Sequence, residues 1–274
     1  MATLRPPPGS LPLNPAQRFP REVRSGPPSA FDEKGGMSAM NVRQEEVRNR
    51  ILASLPADEF AEIAPLLEPV GLEVGDRLYD EDDVIRRVHF IEGGLLSLLS
   101  TLEDGTSIEV GALGSEGLGG LSILLGAERA AHTALVQIGG TALRVRAERA
   151  HEAFRRLPVF REKTLRYTRM LMSQISQTAA CNTLHTVEER LARWLLMCRR
   201  RVESDRLELT QEFLSHMLGV RRSGVTVAVG ILQQAGLIRH SRATILVTDP
   251  EGLRAASCEC IKAMTEEYDS YLNE

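Results

Sequence analysis

Apolar residues change their spacing twice along this chain. Between Arg50 and Leu67 they recur at helical intervals (Ile51, Leu55, Phe60, Ile63, Leu67), which predicts a leading helix. Beyond it the apolar runs are short: Val88 to Ile91, Leu95 to Leu99, Ser107 to Val110, and Ala134 to Ile138. Glycine punctuates them, with 13 of the 22 glycines falling in residues 71–140. Short strands divided by turn residues predict a β-roll or jelly-roll rather than alternating β and α units. Glu103-Asp104-Gly105-Thr106 reads as a hairpin turn, because Asp-Gly tolerates the positive φ of tight hairpins.

After Pro158 no glycine occurs until Gly219, and the period becomes helical. Leu165, Thr168, Met172, Ile175, Ala179 and Asn182 alternate in steps of three and four, the pattern of a two-helix seam. The same stripe could pack on its own domain. A helix over about residues 159–183 would be nearly 40 Å long at 1.5 Å per residue. Val187, Leu191, Leu195, Cys198 and Val202 form the next stripe, with Trp194 beside it. Arg199, Arg200 and Arg201 fall in its last turn, where cations complement the helix dipole.

Residues 209–238, LTQEFLSHMLGVRRSGVTVAVGILQQAGLI, carry a helix-turn-helix pattern. Thr210 can cap a helix starting at Gln211, with Leu214 and Leu218 inward and Ser215 small at the crossing. Gly219 permits a left-handed turn, and Val220 fills the angle. The following helix buries Val225 and Ala228 and presents Arg221, Arg222, Ser223, Thr226 and Val227, the positions that reach base edges in the major groove. Arg239 to Thr244 reads as a basic β-wing leading into an apolar strand, Ile245 to Val247.

Composition narrows the class. With 26% charged and 43% apolar residues over 274 positions, the chain is an ordinary globular one of one large or two ordinary domains. No run of about 18 apolar residues could span a bilayer, and Met1 to Ser10 lack the apolar core of a secretory signal. Four scattered cysteines suggest a reducing cytoplasm. The net charge of −4 hides a division. Residues 46–155 hold 10 Arg and no Lys against 19 acidic residues, net −9, whereas residues 156–182 are net +4 and residues 183–253 net +2. A DNA-binding domain therefore remains compatible with the acidic total. Residues 1–45 hold 8 of the 13 prolines and read as a flexible tail, with Met37 or Met40 as alternative starts. The expected organisation is α+β: a tail (1–45), a β-roll sensor domain (46–155), a long helix (156–183), a winged helix-turn-helix (184–254) and an acidic C-terminal helix (255–274).

Residues for catalysis or metal binding are sparse. In the β-rich region only His89 and His132 occur, without a ligand-like motif, and Asp80 to Asp83 read as a solvated turn. No catalytic constellation appears, so an enzyme is not expected. Cys181 and Cys198 lie in apolar helical contexts and read as packing residues. Cys258 and Cys260 flank Glu259, but two ligands do not close a zinc site, so they read as inert thiols and no metal site is expected.

In its order of parts the chain resembles the Crp/Fnr family of bacterial transcription regulators over roughly residues 46–260. The resemblance rests on Gly75-Asp76, on FIEGG (Phe90 to Gly94), on GLGGLSILLG (Gly117 to Gly126) and on LTQEFLSHMLGVRR (Leu209 to Arg222). It implies a cyclic-nucleotide-binding-like β-roll, a dimerisation helix and a winged helix-turn-helix. The seam Leu165, Met172, Ile175 and Ala179 then belongs to a homodimer, and double-stranded DNA is the principal partner, with RNA polymerase a further one for an activator. A membrane partner is not implied, and the expected location is cytoplasmic.

Departures from the family pattern refine this. The effector pocket would involve Gly117, Leu118, Gly120 and Arg129, yet Leu118 stands where nucleotide-binding members carry a ribose-binding glutamate. Arg129 is followed by Ala130 where an arginine–serine pair would hold the cyclic phosphate. The expected effector is an unidentified small molecule other than cyclic AMP. Residues 1–180 contain no cysteine, so an iron–sulfur cluster of the N-terminal-cysteine type is not expected. At the DNA, Arg222 matches the first of the family's base-reading residues, while Ser223 and Val227 replace the others, so the operator should differ. Thr210 and Gln211 match phosphate-touching positions, and His240 and Arg242 in the wing are further phosphate candidates. The competing reading is a ligand-sensing or scaffold module whose helix-turn-helix makes protein contacts only. Salt dependence separates the two, because phosphate contacts make affinity fall steeply with salt.

Overall fold

Pro56 divides the leading apolar stretch. Where spacing predicted one helix, the computed structural model has α1 (Arg50–Ala53) and α2 (Ala57–Ile63), with Pro56 as the N-cap of the second. Proline has no N–H to continue a helix and disfavours helical geometry in the residue before it, so the helix must restart. The structure describes residues 42–103 and 106–273. The Pro-rich stretch up to residue 41 and the Asp104-Gly105 centre of the expected hairpin lie outside it.

Six antiparallel strands follow: β1 (Glu68–Leu72), β2 (Arg77–Tyr79), β3 (Arg87–Thr101), β4 (Ser107–Leu113), β5 (Leu118–Gly119) and, after the short helix α3 (Leu121–Leu124), β6 (Thr133–Arg146). The order is β1-β6-β3-β4, with β2 on β6 and β5 on β3. Val88 to Ile91 and Leu95 to Leu99 are thus one bent strand rather than two. The bend is at Gly93-Gly94, where the pairing with β6 shifts register. Gly94 has φ +88°, and a Cβ there would lie 2.5 Å from Ile138 O, so only glycine lets the strands cross so closely.

The core of this half joins the sheet (Phe90, Ile91, Leu96, Leu118, Val136) to Ile51, Leu52 and Phe60 in front and to Phe160 and Tyr167 behind. Each such side chain contributes roughly 1.5–3 kcal/mol. After α4 (Ala147–Arg156), the long helix α5 (Pro158–Leu184) starts with proline at its first position, where no N–H is missed. The buried Glu59 carboxylate of α2 caps it, accepting from Val159 N–H at 2.9 Å and Phe160 N–H at 2.8 Å. A reciprocal Thr186/Glu189 capping box starts α6 (Val187–Val202).

The remainder is β7 (Arg206–Glu208), α7 (Gln211–Leu218), α8 (Arg222–Gln234), β8 (Ile238–Ser241), β9 (Thr244–Val247), α9 (Pro250–Ala255) and α10 (Cys260–Asn273). The small sheet has the order β7-β9-β8. This is the expected α+β plan of a β-sheet domain, a long helix and a winged helix-turn-helix. Pattern reading missed β7, which buries only Leu207, and α9, a single short helix started by Asp249 and Pro250. The two halves share apolar packing: Leu95, Leu99, Ala112 and Leu135 of the sheet lie in one cluster with Leu191, Trp194, Leu195 and Met217. Among the described residues no helix is long and apolar enough to cross a membrane.

Candidate nucleic-acid interface

Thr210 caps α7, its hydroxyl oxygen accepting from Phe213 N–H at 3.1 Å. Leu214, Met217 and Leu218 are buried beneath. Gly219 ends the helix in the left-handed region at φ +62°, and a Cβ there would lie 2.8 Å from Ile108 Cδ1 of β4. The left-handed turn is what calls for glycine here, because the Ile108 methyl ends a flexible side chain and can give way. α8 buries Val225, Ala228, Val229 and Leu232. Its other face leaves Arg221, Arg222, Ser223, Thr226 and Val227 exposed, the valine at 57%. No side chain caps the start of α8, so its first N–H groups remain available to an anion.

Two predicted contact residues meet: Thr226 Oγ1 donates to Gln211 Oε1 at 3.0 Å, tying the start of α7 to the exposed side of α8. In the wing, Arg242 sits exposed at the turn between β8 and β9 with φ +42°. His240 is placed differently. Its backbone N–H donates to Gln233 Oε1 at 2.8 Å, and its ring Nε2 is buried without a partner. Arg239 is exposed on the same strand.

The predicted seam of α5 divides by exposure. Leu165 (47%), Met172 (64%) and Ala179 face outward, while Ile175 is half-buried against the sheet core. The face that packs within the protomer is a different one: Phe160, Thr164, Tyr167, Leu171, Gln174 and Thr178.

Of the expected effector residues, Gly117, Leu118 and Gly120 lie at β5 and the start of α3, while Arg129 lies beyond α3 in the segment that bridges to Val84. Gly117 is pressed against the Tyr167 ring, and its carbonyl accepts from Asn49 Nδ2 at 2.7 Å. Leu118 is buried in the core. Gly120, at φ +89°, donates its N–H to Tyr79 Oη at 2.9 Å. Arg129 is exposed and donates to Asp82 O at 2.5 Å. These four line neither of the described cavities. One of them, about 280 Å³, opens between α5, α6 and α10, with Gln174, Gln177, Arg200, Arg254 and Tyr268 in its walls.

Sequence reasoning missed one grouping. Cys258 and Cys260 lie against Cys181 and His185 from the end of α5. Their separation of 77 residues (Cys181 to Cys258) hid this, although Cys181 and His185 are one helical turn apart.

With this geometry in place, residues 189–256 match the family model of the Crp-like helix-turn-helix domain. The chain has the Crp/Fnr regulator fold. FixK2 from Bradyrhizobium japonicum superposes with a TM-score of 0.61 at 17% identity, covering 70% of this chain and 98% of that one. The c-di-GMP-responsive global regulator CLP of Xanthomonas campestris gives 0.60 at 14% identity, covering 70% and 99%. A CRP-family transcriptional regulator from Thermus thermophilus gives 0.57 at 18%, covering 69% and 96%. No curated protein matches the sequence. The matched segment contains α7, α8 and the β8–β9 wing, and with them the exposed α8 residues.

Proposed function

We propose that this chain is a transcription regulator that binds double-stranded DNA sequence-specifically as a homodimer, with an effector other than cyclic AMP setting its activity. The observation that carries this reading is the division of α8. Val225, Ala228 and Val229 hold it in the domain, and Arg221, Arg222, Ser223, Thr226 and Val227 are exposed at its N-terminal half. Arg222 supplies a fork that can pair with guanine O6 and N7, worth about 1–3 kcal/mol against a wrong base. Thr210, Gln211 and Arg242 contact phosphate, and His240 contributes through its backbone setting rather than its buried Nε2. The outward Leu165, Met172 and Ala179, with Ile175 at their edge, pair two copies so that their recognition helices reach major grooves about 34 Å apart.

The proposed role is binding rather than catalysis, exercised in the cytoplasm, with RNA polymerase contacted if the regulator activates. Leu118 buried in the core and Arg129 turned to Asp82 leave no ribose or phosphate clamp of the cyclic-nucleotide kind, which supports a different effector. The test is selection of the full chain against a random DNA pool at about 150 mM salt. The expected result is a two-fold symmetric motif whose enrichment Arg222→Ala abolishes. Retention of no DNA, with or without cell extract, would favour a module that uses its helix-turn-helix for protein contacts.

A further inference from the structure

All four cysteines of the chain are buried thiols, and three of them converge. Cys181, near the end of α5, and His185, the residue that caps it, meet Cys258 and Cys260, which bracket the start of α10. One ligand atom from each lies within 4.8 Å of all the others. Cys181 Sγ and Cys258 Sγ are 3.5 Å apart, and Cys260 Sγ and His185 Nδ1 are 3.6 Å apart. A tetrahedral zinc ion with bonds of about 2.3 Å to sulfur and 2.0–2.1 Å to nitrogen needs separations of about 3.7 Å between sulfurs and about 3.5 Å from sulfur to nitrogen. These side chains are already near that spacing. A multi-iron cluster would require thiolates spread around a larger core.

The surroundings suit a metal as well. His185 Nε2 lies 3.1 Å from Glu259 Oε2, which fixes the tautomer that leaves Nδ1 free as a ligand. Gln177 Nε2 donates to Cys260 Sγ at 3.0 Å, as a second-layer amide does to a bound thiolate. Two buried guanidinium groups stand close by, near enough for Arg190 to feel Cys181 and Cys258 and for Cys181 to feel Arg193. Neither forms an ion pair with a carboxylate among the described residues. Each has an unpartnered buried Nε, and Arg193 Nη1 rests 3.2 Å from the sulfurs of Met197 and Met264. Three thiolates, one neutral imidazole and a divalent cation sum to −1, which offsets one of the two guanidinium charges.

We propose that Cys181, His185, Cys258 and Cys260 form a Cys₃His site for one zinc ion, which clamps α10 to the end of the long helix α5. Binding forms three Zn–S bonds and one Zn–Nδ1 bond, and the three thiol protons pass to solvent. The ion is a soft-ligand, tetrahedral type by its donor set, which excludes magnesium and calcium. Because the site joins the helix leading into the winged domain to the helix that follows it, metal occupancy and the seating of that domain are linked. Whatever conformation keeps the four ligands together is stabilised by the ion.

The test uses the full chain, purified under reducing conditions and then titrated with zinc or with cobalt(II) as a spectroscopic stand-in. The expected results are one ion per chain, thiolate-to-cobalt charge transfer with the visible bands of a tetrahedral site, and four free thiols on denaturation in chelator. Cys258→Ser with Cys260→Ser should abolish binding, Cys198→Ala should retain it, and Glu259→Gln should weaken it about 10–100-fold. A cobalt spectrum without thiolate bands, binding that survives the double substitution, or a Cys181–Cys258 disulfide leaving only two thiols would overturn the proposal. If the double variant fails to fold, the cobalt spectrum and thiol count of the unsubstituted chain decide alone.

Discussion

Arg201 Nε donates to Glu116 Oε1 at 2.7 Å, joining the last turn of α6 to the loop between β4 and β5. The side chains are 4% and 0% exposed, so this is a charge pair inside the protein, between its sheet domain and its winged-helix half. Arg201 Nη2 donates on to Gln174 Oε1 at 2.6 Å, and Gln174 Nε2 to Ala112 O at 2.9 Å. Tyr271 Oη closes the group on Glu116 O at 2.8 Å. α5, α6, α10 and the sheet therefore meet at one satisfied polar cluster.

Breaking that pair on one side should cost more than removing it altogether. Arg201→Ala leaves a buried, unpaired carboxylate and is expected to lower stability by about 3–5 kcal/mol in urea unfolding. Arg201→Met combined with Glu116→Leu should recover most of the loss. If the two single substitutions simply add in the double variant, the pair does not act as a unit.

A second polar contact between the halves depends on pH. Glu109 Oε1 accepts from Trp194 Nε1 at 2.8 Å, and burial raises its carboxyl above the usual value of 4.5. Ser97 Oγ lies 2.6 Å from both Glu109 Oε2 and Gln137 Oε1, yet it has one proton. Turning the Gln137 amide, whose Nε2 has no partner as placed, lets it donate to Ser97 Oγ while Ser97 donates to Glu109. Because the folded pKa is raised, the contribution is fully present below about pH 4.5 and is lost as pH rises through the folded value. Glu109→Gln should therefore be more stable than the parent at pH 7–8, with the gap closing on acidification. Thermal unfolding at a series of pH values measures both slopes.

His89 works in the opposite sense. Burial, then the charges of Arg144 and Arg87, push its imidazole down from 6.5 to about 4. With its folded pKa depressed, its contribution is present above pH 6.5 and is lost as pH falls toward 4, on the order of 3 kcal/mol in all. His89→Leu should flatten the stability curve over that window. An unchanged slope in acid unfolding would count against the assignment.

These contacts show why part of the molecule was hidden in its sequence. The helix-turn-helix was legible because Gly219, the apolar period and the exposed arginines follow from local geometry. The docking of the two halves was not. On β4 the fully buried positions include Ser107 and Glu109, while Ile108 and Val110 are only half-buried. A period of two marks two faces but does not say which will be covered, and here the polar face lies beneath α6 and α7. The bend at Gly93-Gly94 was likewise unreadable, because glycine before a second apolar run signals a turn as readily as a bulge. Cys181 read as packing because its partners arrive only when α10 folds back along α5.

The seam of α5 yields a prediction independent of DNA. Met172 and Leu165 make little contact within the protomer, so Met172→Glu should leave the unfolding temperature of the isolated subunit nearly unchanged. In a dimer it would place a charge in an apolar centre and weaken association by about 2 kcal/mol or more, roughly 30-fold. Sedimentation equilibrium across concentration reads this directly. An unaltered association constant would remove these residues from the interface.

Arg222 and Arg242 should fail differently when replaced by alanine. Arg222 stands at the start of α8, where a guanidinium can reach base edges, and its loss should cost about 1–3 kcal/mol on the preferred site and relax selectivity at one position of each half-site. Arg242 stands exposed at the turn between β8 and β9 and is the proposed phosphate contact. Its loss should weaken all sequences alike and lower the slope of log K against log salt by about 1 per subunit. Binding to a preferred and a scrambled duplex at several salt concentrations separates the two. Equal losses on both duplexes for Arg222→Ala would mean that it touches phosphate and that base reading falls to Ser223, Thr226 and Val227. Discrimination would then come from hydroxyl and methyl contacts, and the operator should favour thymine where Val227 meets the groove.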